Sequence, residues 1–285
     1  VTGGAGFIGS HLVDALVNEG KKVKVLDNFS SGRVEFLSHH DTNDNVEVIN
    51  ADLLDLGSVT DAMEGVEFVH HLAANPDIRL GTQVTDTDLK QGTIATYNVL
   101  ESMRINGVGA ISFASSSAIY GEAKQMPTSE NYGPIMPISL YGASKLGSEA
   151  LISAWEGTFG IRAYIHRFAN IVGPRGTHGV IFDFIHKLKK DPTRLEVLGD
   201  GNQEKSYLHV TDLVDAMFFL SEITLHKGDN PIFNLGPNND SVKVKWIAEE
   251  VVKFHQKKVK ILYGQEKYGF SFCLHQLQNQ LCEYF

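Results

Sequence analysis

Short runs rich in β-branched residues alternate along this chain with longer stretches whose apolar positions recur every three or four residues. Val23–Asp27 (VKVLD), Val46–Asn50 (VEVIN), Val66–His71 (VEFVHH), Ala110–Ser115 (AISFAS) and Ile161–Phe168 (IRAYIHRF) read as strands. Between them, Phe7–Glu19, Ser58–Met63, Asp86–Asn106 and Tyr141–Phe159 read as helices. Strand and helix in alternation predict βαβ units. Right-handed crossovers then place the helices on both faces of one sheet, so the fold class expected is α/β, a doubly wound parallel sheet. Gly20 falls just past the first helix, where a left-handed C-cap is wanted.

Beyond residue 170 the rhythm loosens, and glycine and proline punctuate shorter segments. Residues 1–170 are expected to form the main domain, with segments near 205–235 returning to it, and 171–285 a smaller, loop-rich lobe. Val210–Ser221 reads as a helix and Ile232–Leu235 as a strand that rejoins the main sheet. The last 20 residues show no clear pattern.

Length and composition narrow the class. At 285 residues the chain suits one or two domains of about 150 residues each. With 42% hydrophobic and 21% charged residues it is an ordinary globular chain, not a disordered one. A net charge of −9 argues against gripping nucleic-acid backbone, which needs a dense positive face. Two cysteines, Cys273 and Cys282, exclude a disulfide scaffold and fit a reducing cytoplasm. No apolar run is long enough to span a membrane, and no signal peptide is read. The chain opens at Val1 without a methionine, so residues are expected upstream of it.

The opening VTGGAGFIGS carries the first chemistry. Gly4, Gly6 and Gly9 satisfy G-x-G-x-x-G, and Gly3, Gly6 and Gly9 satisfy the looser G-x-x-G-x-x-G. Glycines at this spacing allow a tight turn, close approach of backbone to a pyrophosphate, and close packing of helix on sheet. The backbone N–H groups of Phe7 and Ile8, at the helix start, are expected to face the phosphates. Asp27 ends the next strand, where a carboxylate accepts from adenosine ribose hydroxyls and repels a 2′-phosphate, so the cofactor expected is NAD rather than NADP. Asn28 beside it, Asp52 and Leu53 after the third strand, and Ala73 and Ala74 after the fourth complete the expected cofactor contacts on the sheet.

Tyr141 and Lys145 stand at i and i+4 and so share a helix face. An ammonium near a phenol favours the phenolate. Work near neutrality requires the phenol to drop roughly 3 units from about 10, which is about 4 kcal/mol, and Lys145 with a positive nicotinamide ring is expected to supply it. Ser115, Ser116 and Ser117 end the fifth strand, at the edge where open α/β sheets bind ligands. A hydroxyl there can bond the same substrate oxygen as Tyr141.

Taken together, TGGAGFIGSHL (2–12), LDNFSSG (26–32), ADLLD (51–55), HLAA (71–74), ATYNVLES (95–102), SSSAIYG (115–121), YGASK (141–145), RFANIVGPR (167–175) and SYLHVTDLVDA (206–216) resemble the extended short-chain dehydrogenase/reductase superfamily, in its nucleotide-sugar epimerase/dehydratase branch. The resemblance implies a Rossmann domain holding NAD and a C-terminal lobe binding a nucleotide diphosphate sugar. It implies Ser116 as the catalytic hydroxyl, Tyr141 as the base, and Lys145 as its partner and a cofactor contact. It implies Asn98 as a further cofactor contact and Asn170 as a diphosphate ligand. Lys205 stands where many relatives carry an arginine, keeping the charge but losing bidentate geometry. His178, in the loop after Asn170, and Val180 are expected to touch substrate.

Family dehydratases follow the catalytic hydroxyl with an aspartate and a glutamate, and family decarboxylases carry a glutamate at the second of these positions. Here the two residues are Ser117 and Ala118, which cannot move a proton at C5 or C6 of a sugar. The expectation is 4-epimerisation of a UDP-hexose of the glucose/galactose type, with dehydratase or decarboxylase chemistry as the alternative. A non-catalytic NAD-binding regulator is the alternative of another class, and retention of both Tyr141 and Lys145 argues against it. A carbonyl reductase that exchanges its cofactor ranks third. By resemblance the protein is a homodimer, pairing helices such as Tyr141–Phe159 through Leu146, Ala150, Ala154 and Trp155. No metal is expected. Adjacent histidines on a strand (His70 and His71) point to opposite faces, and neither they nor His39 and His40 have a third ligand at suitable spacing.

Overall fold

The parallel sheet is assembled around a single short crossing at Thr2, which bridges Leu26 on one side and His71 on the other. The computed structural model describes residues 1–78, 80–225, 231–237, 241–255 and 257–264; Cys273, Cys282 and the final 20 residues lie outside them. In chain order its elements are α1 (Phe7–Asn18), β1 (Val23–Asp27), β2 (Val46–Asn50), α2 (Leu56–Ala62), β3 (Val69–His71), α3 (Leu80–Gln83), α4 (Ala95–Asn106), β4 (Ala110–Ser116), α5 (Leu140–Phe159), β5 (Arg162–Phe168), β6 (Asn170–Val172), α6 (Val180–Lys190), β7 (Arg194–Val197), β8 (Glu204–Lys205), β9 (Tyr207–His209), α7 (Val210–Ser221), β10 (Ile232–Leu235), β11 (Val242–Lys243), α8 (Val244–His255) and β12 (Lys260–Tyr263). Short 3₁₀ turns lie at Val34–Phe36, Ser38–His40 and Ser117–Tyr120.

The chain divides into two compact units. The first comprises Val1–Ala169 and Val210–Leu235, and the second Asn170–His209 with the described residues from Gly236 onward. In the first, strand order runs β2, β1, Thr2, β3, β4, β5, β10, and every pairing is parallel. β4 is buried along its whole length, as a central strand covered on both faces must be. β2, paired with β1 alone, leaves Glu47, Val48 and Asn50 exposed. Val99, Leu100 and Met103 of α4 and Ile152 of α5 pack on Ile111, Phe113, Ala163 and Ile165 of the sheet. Val13 of α1 packs with Val23, Val25 and Leu37 in a separate cluster.

Helix ends follow local chemistry. Ser139 Oγ accepts from the Gly142 N–H at 3.0 Å and caps the start of α5. Gly20, at φ +74°, turns the chain after α1 in the left-handed region, as its position foretold.

Two expected elements are shorter or broken. The Val66–His71 strand is confined to Val69–His71, the only residues that meet β4 in register. The continuous helix over 86–106 is interrupted by a π-helical turn at Leu89–Ile94 before α4 begins. Gly92 lies against α5 so closely that a Cβ there would sit 2.6 Å from Ser144 Oγ. Thr93 Oγ1 donates to the Ser144 carbonyl at 3.3 Å, and Thr96 Oγ1 to the Gly92 carbonyl at 2.8 Å. The widened turn is held by the Gly92 and Thr93 contacts with Ser144 of α5 and by the Thr96 bond to Gly92 within it, which a one-dimensional hydrophobic period does not register.

The second unit has its own core: Val180, Phe184 and Leu188 of α6 with Leu195 and Val197 of β7 and Val244, Ile247 and Ala248 of α8. Here β12 runs parallel to β7, β6 parallel to β9, and β11 antiparallel to β8.

Candidate active site and cofactor cradle

The glycine turn is shaped by contacts that no side chain would allow. Gly3 has φ +67°, and a Cβ there would lie 2.8 Å from the Ala73 backbone nitrogen. A Cβ on Gly9 would collide with the Gly3 carbonyl oxygen and lie 2.8 Å from Gly4 Cα. Gly6 is the N-cap of α1 and offers no side chain to cap it, so the first N–H groups of the helix, beginning at Phe7 and Ile8, face outward for an anion.

Asp27 ends β1 and is 8% exposed. Its Oδ2 accepts from the Ala5 N–H at 3.0 Å and its Oδ1 from the Phe29 N–H at 2.9 Å. A carboxylate has about four lone-pair directions, so these two bonds orient it and leave capacity for a diol. Gly32 passes so near that a Cβ would stand 2.8 Å from Oδ1 and 2.9 Å from Oδ2. Asn28 Nδ2 donates to Asp52 Oδ2 at 3.1 Å, and Asn98 Nδ2 to the Leu53 carbonyl at 2.8 Å. These bonds draw the ends of β1 and β2 and the flank of α4 together. The Ala73 N–H donates to Thr2 Oγ1 at 3.4 Å, and Ala74 is half-buried after it.

His71 is buried between Thr2 Oγ1 (2.7 Å from Nδ1) and Thr96 Oγ1 (3.1 Å from Nε2). Burial, with the Lys145 charge adding to it, pushes its imidazole down to about 3, so it is a neutral spacer under the cradle.

Ser116, Tyr141 and Lys145 meet at the carboxyl end of β4. Ser116 is 6% exposed and accepts from the Ala118 N–H at 3.2 Å, and its hydroxyl is hydrogen-bonded to the Tyr141 phenol. Lys145 is 3% exposed; its Nζ donates to the Ala114 carbonyl at 2.7 Å and lies 5.8 Å from the Tyr141 ring centroid. Burial pulls this ammonium down to about 8, against the pull of Glu149 and Asp88.

The expected drop of the phenol is not found in the protein alone. Burial pushes Tyr141 up to about 12, the Ser116 hydrogen bond opposes that, and the negative charge of Asp88 adds to it. Desolvation of the anion outweighs the Ser116 hydrogen bond.

Sequence reasoning missed two groups around this trio. Asp88 is 2% exposed; its Oδ1 accepts from Asn75 Nδ2 at 3.0 Å, while Oδ2 is buried without a hydrogen-bond partner. Burial raises its pKa from the ordinary carboxylate value. Glu149 is buried with Arg167 in a two-pronged pair, Nη2 to Oε2 at 2.7 Å and Nε to Oε1 at 3.0 Å. Ser115 Oγ donates to Glu149 Oε1 at 2.5 Å. The signal for Glu149 was present, since it follows Lys145 by one further i, i+4 step. Ser117 is exposed, and Ala118 is buried beside Ser116.

In the second unit, Asn170 opens β6 and donates to the Ser206 carbonyl at 3.2 Å, and Lys205 in β8 pairs with Val242. His178 is exposed in the loop before α6, with Nδ1 3.2 Å from Thr177 Oγ1. Val180 has its side chain in the core of this unit, 3% exposed, so only its backbone at the start of α6 is available to a ligand.

Comparison with known proteins bears directly on this geometry. The profile of the NAD dependent epimerase/dehydratase family matches residues 1–236. The chain belongs to that family. A putative UDP-glucose 4-epimerase from Methanocaldococcus jannaschii is 36% identical over 247 residues, covering 85% of this chain and 77% of that protein. The crystal structure of a UDP-galactose 4-epimerase is 42% identical and superposes with a TM-score of 0.80 over 92% of this chain and 84% of its own. UDP-glucuronic acid decarboxylase 4 from Arabidopsis thaliana is 36% identical over 246 residues, 83% of this chain and 52% of that protein.

The residues present fit the NAD that this epimerase/dehydratase family uses. The uncapped start of α1, the glycine pinch beneath it and the spare lone pairs of Asp27 are the donor and acceptor set for a pyrophosphate and a ribose diol. Among the described residues, no helix is long and apolar enough to cross a membrane.

Proposed function

We propose that the protein is an NAD-dependent 4-epimerase of a UDP-hexose, of the glucose/galactose type. The observation that carries the reading is the Ser116–Tyr141–Lys145 array followed by Ser117 and Ala118. Neither Ser117 nor Ala118 is an acid or a base, so no aspartate–glutamate pair follows the Ser116 hydroxyl. Epimerisation at C4 needs no such pair.

Bound NAD supplies a reversible hydride acceptor for C4 and brings a positive charge of its own. As a phenolate, the form that the Lys145 and NAD charges would favour, Tyr141 Oη takes the C4 hydroxyl proton as the sugar becomes its 4-keto form, and returns it when the alcohol re-forms. Ser116 Oγ, already bonded to the phenol, holds the reacting oxygen in line. Lys145 stays fixed on Ala114 and holds its charge beside the phenol. Asp27 and Asn28 would take the adenosine ribose, the N–H groups of Phe7 and Ile8 beside Gly6 and Gly9 the pyrophosphate, and Asp52, Leu53, Ala73, Ala74 and Asn98 would frame the rest of the cofactor.

Inversion requires the sugar to present both faces, so the grip belongs on the nucleotide. In this reading the smaller unit supplies it through Asn170, His178, the Val180 backbone and Lys205, and the larger unit is the NAD-binding domain. The protein is a cytoplasmic homodimer, pairing through the apolar surface that Ile94, Tyr97 and Phe159 leave exposed beside Ala150 and Ala154.

The test is incubation of purified protein with UDP-galactose, with products separated chromatographically and bound cofactor assayed after denaturation. UDP-glucose formed without net NADH, and lost in Tyr141→Phe, supports the reading. Bound NAD with no conversion of UDP-hexoses, or UDP-xylose formed from UDP-glucuronic acid, overturns it. The second outcome establishes the decarboxylase alternative, which the similarity to the plant enzyme favours.

A further inference from the structure

His39 and His40, which have no third ligand at a suitable sequence spacing, acquire one in the fold. They sit on a 3₁₀ turn, where successive residues rotate by about 120° instead of alternating between faces. Both rings reach back to α1. His39 Nε2 and His40 Nε2 each lie 2.7 Å from Asp14 Oδ1, and the two ring centroids are 4.0 Å apart. The three donor atoms all lie within 4.8 Å of one another. Asp14 is 25 residues from His39 in sequence, which is why no local spacing betrays it.

The turn is anchored. Leu37, just before it, is 3% exposed and packs in the cluster that holds Val13, the neighbour of Asp14. The His40 N–H donates to the Leu37 carbonyl at 2.8 Å, and His40 is 9% exposed. The His39 side chain is 46% exposed, which opens the cluster to solvent. Two rings and a carboxylate are therefore preassembled at one accessible point.

We propose that Asp14, His39 and His40 form a binding site for a transition-metal dication, with zinc as the first choice and water completing the coordination. Two imidazole nitrogens and one carboxylate oxygen suit zinc, cobalt, nickel or copper; magnesium and calcium want oxygen alone. Metal–ligand bonds of about 2.0–2.2 Å in a tetrahedron put the ligand atoms roughly 3.4 Å apart. The present 2.7 Å separations reach that by small side-chain rotations. Each ring then carries its proton on Nδ1 and gives the Nε2 lone pair to the metal. None of the three residues belongs to the cofactor or sugar machinery. The ion would tie α1, which starts at the phosphate-binding turn, to the segment that follows Asp27 and Asn28. Its role is a structural clamp on that frame.

The test uses the full chain, freed of affinity tag and stripped with EDTA. Cobalt(II) is titrated in and its visible absorption followed, and zinc is then added as competitor. One equivalent of cobalt with the intense bands of a four-coordinate site, displaced by zinc, is the expected result. His39→Asn, at the exposed ligand, is expected to weaken binding by at least about 10-fold, as is Asp14→Asn. His186→Asn, on the exposed face of α6, is expected to bind as the parent does. The thermal midpoint of the parent rises with added zinc and that of His39→Asn does not. A parent that takes up no stoichiometric cobalt, or a folded His39→Asn that binds it as tightly as the parent, overturns the proposal.

Discussion

Lys145 donates from Nζ to the carbonyl oxygen of Ala114 at 2.7 Å, and this bond pins the helix-borne ammonium to the end of the central strand. The lysine is 3% exposed, with the Phe113 ring 4.8 Å from its Nζ. Its position is thus set by the sheet and not by the phenol it serves. A charge that close to the reaction and that well fixed needs no reorganisation when the substrate arrives.

Replacing it should show in both rate and stability. Lys145→Met is expected to lower kcat by about 10²-fold or more, since the phenol then loses its standing positive neighbour. The stability effect has a definite sign. Burial depresses the folded-state value to about 8 from 10.5, so between those limits the unfolded chain holds more protons. Parent stability should therefore gain from this group as pH rises through 8 toward 10.5, and Lys145→Met should lack that gain. Urea titrations of both proteins at the two ends of the window measure the difference.

Two neighbours of Tyr141 should move its titration in opposite directions. Asp88 raises the phenol and the Ser116 hydrogen bond lowers it. Asp88→Asn is expected to shift the rising limb of the kcat/KM profile to lower pH, and Ser116→Ala to higher pH with a loss of rate besides. Ultraviolet difference titration of tyrosinate, with Tyr141→Phe as the blank, reads the same shifts without turnover. Equal profiles in all three proteins would show that neither neighbour sets the phenol.

The contrast between Asp88 and Tyr141 also marks how far the sequence was legible. Short β-branched runs and helical repeats were enough for the parallel sheet, because β4 is buried along its whole length and Ala110, Ile111, Phe113 and Ala114 make most of it apolar. The glycine turn, Asp27 and the Tyr141–Lys145 step are local patterns, and the structure places them at one edge of that sheet. Asp88 looked like one more polar position on a long helix, yet it falls in the segment where the helix opens into the π-helical turn, and Asn75 lies across from it. The rise of Tyr141 in the protein alone was hidden for a related reason. Spacing reveals that an ammonium is near; it does not reveal how completely both groups leave water.

Asp27 makes a prediction about the cofactor alone. Its carboxylate fastens the Ala5 and Phe29 N–H groups, and Gly32 leaves it room. Asp27→Ala leaves those donors without their acceptor and removes the expected ribose partner, a cost of about 1–3 kcal/mol for each buried group left unpaired. The variant should be purified with less bound NAD than the parent, and should discriminate less against NADP. Cofactor released on denaturation and assayed enzymatically gives both numbers.

The Glu149–Arg167 pair supports the site from beneath, and its removal should be felt as stability first. Both side chains are nearly inaccessible, at 6% and 3% exposed. Arg167 also donates through Nη1 to the Tyr120 hydroxyl at 2.8 Å and the Glu130 carbonyl at 3.1 Å, and Tyr120 in turn donates to Asn234 Oδ1 at 2.8 Å. Glu149→Gln strands a guanidinium that remains charged at any working pH. The expected loss is about 3–5 kcal/mol, because an uncompensated buried charge costs more than the pair contributes. Joining Glu149→Gln with Arg167→Met removes the stranded charge, so the double variant should recover part of that loss. Chemical denaturation of the parent, both single variants and the double closes the cycle. A double variant less stable than either single one would show that the pair, and not the isolated charge, carries the energy.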